Sequence, residues 1–178
     1  MLTSVIRASF KAHPYITIPP DLQVLLDTKV DIKHINGCGT ETGIFSGIGV
    51  SEVGGICISA ACYVHDHRYY TGATLVDKTA ADIEFLHNII LILKNDPATL
   101  LMSTEERQIC FNEATLIFKL VHVYGFKAFV AGKNMSSHEA SYFEDLCHTV
   151  YITFMTMLIP LDIFYDTVKA KFRKQAML

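Results

Sequence analysis

The densest run of side chains able to do acid–base chemistry is Ala61-Cys62-Tyr63-Val64-His65-Asp66-His67-Arg68-Tyr69-Tyr70. On a helix, His65 and Tyr69 share one face at i and i+4, and Asp66 points about 100° away. One helix can thus aim a general base and a metal-binding carboxylate at neighbouring points of one cleft. Asp82 follows on a second apolar stretch, flanked by Ala80, Ala81, Ile83 and Phe85. A carboxylate buried there needs a partner, and a histidine across an antiparallel helix pair would serve. His65 and His67 diverge at i and i+2, which argues against a shared transition-metal site, and His67 with Arg68 reads as a solvated face.

The elements that must position these residues are mostly helical. Residues 1–35 read as irregular, with Pro14, Pro19 and Pro20 as breakers and a short helix over 21–27. Residues 35–55 hold seven of the ten glycines. A loop of that length is uncommon in a compact domain unless it binds something, and its glycines free the backbone to face a ligand. Apolar spacing predicts helices over 56–70 and 79–94, the latter with Ile83, Leu86, Ile90 and Leu93 as its stripe, widened by Phe85, Ile89 and Ile92. Ser103 with Glu106 and Ser136 with Glu139 have capping-box spacing and open helices over 103–124 and 136–159. Pro160 ends or kinks the last of these, and a final helix runs to about residue 175. The class is mainly α.

Composition removes several function classes. The 178 residues are 51% hydrophobic and 19% charged, which excludes a disordered chain. A net charge of −3 with 15 basic residues gives no general attraction for nucleic acid. The apolar excess predicts a surface that meets a membrane, a partner or a second copy. Five cysteines without a CxxC pair exclude a zinc ribbon. The first 20 residues lack the pattern of a signal peptide. The charge-free stretch 146–161 has 16 residues, short of the roughly 20 that span a bilayer. It reads as a buried or interfacial helix. His87, His122 and His148 read as ordinary interior or boundary residues. Lys169, Lys171, Arg173 and Lys174 form a basic cluster that suits either a helix C-terminus or anionic headgroups.

The NGCG of the glycine loop, the ACYVHDHRYY of the first main helix and the AAD of the second resemble the phospholipase A2 superfamily. The reduced pattern is similar to that of parvovirus-capsid and bacterial or fungal members, and it covers about residues 35–92. The resemblance implies an antiparallel helix pair with a glycine-rich metal loop, followed here by additional C-terminal helices. It assigns His65 as general base, Asp82 as the group orienting it, and Tyr69 as a hydrogen-bond donor to Asp82. It assigns Asp66 as the Ca²⁺ carboxylate, with loop carbonyls at Gly37, Gly39 and Glu41. An alternative loop alignment uses Phe45, Gly47 and Gly49. Cys38 and Cys62 match a cysteine pair that is a disulfide in secreted members. The chain departs from the secreted pattern by lacking the cysteine that usually follows Asp–x–x there, and by a loop-to-helix segment longer by about eight residues.

The expected activity is calcium-dependent hydrolysis of a phospholipid acyl ester at a membrane surface. Residues 1–97 would form the catalytic region, with a core over 35–95. Residues 98–178 would be a helical extension packed on the same unit, able to carry a homo-oligomer or assembly contact. The alternative is a catalytically inactive structural or interaction protein, for example a virion component, that keeps the scaffold. Location stays open between non-classical secretion, a virion and the cytoplasm.

Overall fold

The computed structural model describes residues 2–28, 32–38 and 50–130. The helices expected over 136–159 and beyond, the stretch 146–161, and Gly39 and Glu41 lie outside the described residues, as do Phe45, Gly47 and Gly49. The chain divides into two compact units, Met1–Ala131 and Gly132–Leu178. The long helix after residue 103 packs within the first unit.

The protein is mainly helical. Seven helices, α1 (Leu2–Ala12), α2 (Pro20–Thr28), α3 (Ser59–Thr71), α4 (Leu75–Asn95), α5 (Pro97–Leu101), α6 (Thr104–Tyr124) and α7 (Phe126–Val130), accompany one hairpin of β1 (Glu52–Val53) and β2 (Ile56–Cys57) among the described residues. Two expectations are corrected. The N-terminal segment is not irregular: α1 buries Ile6 and Phe10, one turn apart, and packs on α3 with Phe10 edge-on to Tyr63. The end of the glycine-rich segment is a tight hairpin, with Val53 opposite Ile56. Gly54 and Gly55 turn it with φ of +57° and +82°, values that side chains with a Cβ resist. A Cβ on Gly54 would also collide with Cys110 Sγ of α6.

α3 is the central helix. Ala60, Ala61, Cys62, Tyr63, Val64, His65, His67 and Tyr69 are all buried, so it is covered on most sides. It packs against α1 and α4. α4 starts four residues before the expected 79, because Thr74 and Asp77 form a reciprocal capping box. Its inward stripe is Lys78, Asp82, Phe85, Ile89 and Ile92, whereas Ile83 is exposed. The buried face thus continues through a lysine and an aspartate at its N-terminal end. α6 opens on the Ser103–Glu106 capping box and packs along α4.

A disulfide joins Cys38 to Cys62, with Cα atoms 5.1 Å apart, and ties the segment before the loop to α3. Closing a separation of 24 residues restricts the unfolded chain by about 3 kcal/mol in the loop-entropy account. Cys38→Ser should lower unfolding free energy by about that amount. The same loss should follow from reductant on the wild type, read by denaturant titration. Equal midpoints with and without reductant would contradict it.

Candidate functional site

Alternation along α3 separates its chemistry onto different neighbours. His65 faces α4, Asp66 faces the segment at residues 36–37, and His67 faces α2. His67 is therefore not on a solvated face. It is 1% exposed, with Nε2 at 2.7 Å from Asp21 Oδ2 and Nδ1 at 3.4 Å from His34 Nε2. Arg68 is half-buried and pairs with Glu84 of α4 through two hydrogen bonds of 2.7 and 3.2 Å.

Asp82 is the hub. Its carboxyl is fully buried and its two oxygens divide four donors. Oδ1 accepts from His65 Nε2 at 3.0 Å and from the Tyr69 hydroxyl at 2.6 Å. Oδ2 accepts from Lys78 Nζ and from His122 Nδ1, both at 2.7 Å. Burial raises the carboxyl, yet the hydrogen bonds from His122 and His65 and the charge of Lys78 together outweigh it. Asp82 is held well below the ordinary carboxylate range and stays ionised.

An ionised carboxylate only accepts hydrogen bonds, so His65 must carry its proton on Nε2. Its Nδ1 then holds a lone pair. Burial keeps the imidazole below the ordinary histidine value, against the pull of Asp82 and with help from the Lys78 charge. A neutral ring with one nitrogen anchored and the other basic is the form a general base needs. Phe85 and Tyr69 fix the ring plane at centroid distances of 4.8 and 4.0 Å.

Asp66 lies on the other side of α3. Its Oδ2 accepts the backbone N–H groups of Asn36 and Gly37 at 3.1 and 2.8 Å. Gly37, one of the expected loop positions, therefore touches Asp66 through its amide. Gly37 has φ of +92°, a turn that suits glycine. Desolvation pushes the Asp66 carboxyl up to about 7, with the two amides pulling the other way. Among the described residues, no group of three or more His, Cys, Asp or Glu side chains is arranged around a metal. A carboxylate oxygen is the kind of hard donor that Ca²⁺ takes, and holding a cation would require Asp66 to give up the proton that burial favours.

The chain matches no protein-family model, no curated protein and no solved structure.

The structure brings together His65, Tyr69 and Asp82, and separately Asp66 with Gly37. Gly39 and Glu41 lie outside the described residues. Sequence reasoning missed Lys78 and His122. Lys78 stands four residues before Asp82 on the same helix face, a signal present in the sequence. His122 is corrected from an ordinary interior or boundary residue to a partner of Asp82. Only the packing of α6 on α4 brings it there, and no spacing reveals a contact across 40 residues.

Proposed function

We propose that the chain is a calcium-dependent lipid esterase of the phospholipase A2 type, hydrolysing an acyl ester of a phospholipid. The observation that carries this reading is the buried His65–Asp82–Tyr69 constellation, which leaves one basic imidazole nitrogen. α3 and α4, joined through residues 72–74, are read as the antiparallel pair of that superfamily. The Cys38–Cys62 disulfide supports the same alignment, because it fixes Cys38 of NGCG against the helix bearing His65.

In this reading a water hydrogen-bonded to His65 Nδ1 gives up its proton to that nitrogen as its oxygen adds to the ester carbonyl carbon. Asp82, accepting from Nε2, stabilises the imidazolium that forms without taking its proton. Tyr69 keeps the carboxylate oxygen in line. The tetrahedral intermediate then collapses, the acyl carbon–oxygen bond breaks, and the departing alkoxide takes the proton back from His65. The products are a fatty acid and a lysophospholipid. Ca²⁺, when bound, supplies charge compensation for the oxyanion and polarises the ester carbonyl. Asp66 would hold it, with carbonyls of Gly37, Gly39 and Glu41.

The deciding assay is fatty-acid release from phospholipid vesicles with calcium and with excess chelator. Release that persists in chelator would remove the metal assignment. No release in calcium would leave the alternative, a structural or assembly protein that retains the scaffold. One carboxylate with neutral carbonyls gives weak affinity, roughly 10⁻⁴–10⁻³ M. At 10 mM calcium, binding at that affinity stabilises the fold by about 1.4–2.7 kcal/mol. Asp66→Asn should lose both this stabilisation and the activity, read by thermal melts with and without calcium. An undiminished calcium shift in that variant would move the metal elsewhere.

A further inference from the structure

We propose that His122, reaching in from α6, is a positioning residue of this centre: with Lys78 it holds Asp82 Oδ2 so that Oδ1 stays aimed at His65 and Tyr69. The proposal rests on the esterase reading for its consequence in catalysis, and on geometry alone for the positioning itself. Asp82 can rotate about its last side-chain bond, and a carboxylate with no exposed surface has no water to steady its second oxygen. Two donors do so instead, each 2.7 Å from Oδ2.

The two donors are not equivalent. The Lys78 ammonium is a compact charge on a flexible stem with three rotatable N–H groups, and it can follow a turning carboxylate. The His122 imidazole is planar and directional, and it stacks on Phe118 at 5.6 Å with an interplanar angle of 19°. Lys78 Nζ also donates to the His122 backbone carbonyl at 2.7 Å. Lys78, Asp82 and His122 therefore close a ring of hydrogen bonds that ties α4 to α6. The ionised carboxylate requires His122 to be the Nδ1–H tautomer. Its side chain is 44% exposed, so replacing it leaves the core in place. The active centre in this view is completed by a helix beyond the segment that resembles the phospholipase pattern.

The test uses the full chain, with ring ¹⁵N NMR of the histidines and hydrolysis of mixed phosphatidylcholine and phosphatidylglycerol vesicles. In the wild type, His122 should carry its proton on Nδ1 and His65 on Nε2. His122→Leu should shift His65 toward a mixture of tautomers and lower kcat about tenfold to a hundredfold with KM little changed. His122→Asn, whose amide places a donor near the position of Nδ1, should restore most of both. An Nε2–H tautomer of His122 in the wild type would overturn the proposal. So would a His122→Leu variant with the wild-type His65 tautomer and kcat. A wild type that releases no fatty acid defeats the esterase reading alone, and the His65 tautomer in the two variants still decides the positioning role.

Discussion

His65→Gln should lower the rate of ester hydrolysis by about 10²- to 10⁴-fold, the range that general-base catalysis contributes. Glutamine keeps an amide N–H that can reach Asp82, so the hub retains most of its hydrogen bonds and the fold should persist. What it lacks is a basic lone pair where His65 Nδ1 stands. The loss should therefore fall on kcat, with KM and calcium affinity unchanged, because Asp66 and the residues at 36–37 contact a different face of α3. Vesicle hydrolysis under calcium, paired with calorimetry, separates the two. A His65→Gln variant that retains full activity would show that the buried dyad has a structural role only.

Lys78→Met should cost about 3–5 kcal/mol of stability, the penalty for leaving one partner of a buried ion pair without the other. Lys78 is 2% exposed and Asp82 has no exposed surface, so water cannot replace the lost charge. The double variant Lys78→Met with Asp82→Asn should recover much of that loss, because no buried charge then remains uncompensated. Additive losses in the double variant would contradict the pairing. Acid supplies a second check. The folded-state value of Asp82 is depressed, so its contribution is fully present above the unfolded value of about 3.9. It is lost as pH falls from there through the depressed folded value. Removing Lys78 weakens that depression, so the stability gap between wild type and Lys78→Met should narrow as pH drops below about 4. A gap independent of pH in denaturant titrations would place the cost of the substitution in packing.

Much of the architecture was legible in residue order because it depends on local physics. The Ser103–Glu106 box opens α6 where expected, since capping is settled within one turn of chain. The i, i+4 relation of His65 and Tyr69 follows from helix geometry alone, and both do reach Asp82. The disulfide implied by the resemblance is present. The N-terminal helix was not legible because three prolines mark breaks nearby, while its buried face rests on Ile6 and Phe10 alone, one turn apart. His67 was misread because its exposure depends on α2 lying over it, with Asp21 supplied from 46 residues away.

The sequence by itself placed His65, Asp66 and Tyr69 on one helix and Asp82 on the next, because residue type and helical spacing set what each helix presents. Their roles came with the resemblance and stand as the proposal above. Only the tertiary structure decided how Asp82 survives as an anion in the core. That answer lies in four donors from three helices, one of them, His122, on a residue that no local spacing ties to Asp82. A buried charge is stabilised by whatever donors surround it in space, and the distance along the chain to Lys78 or to His122 does not enter that balance.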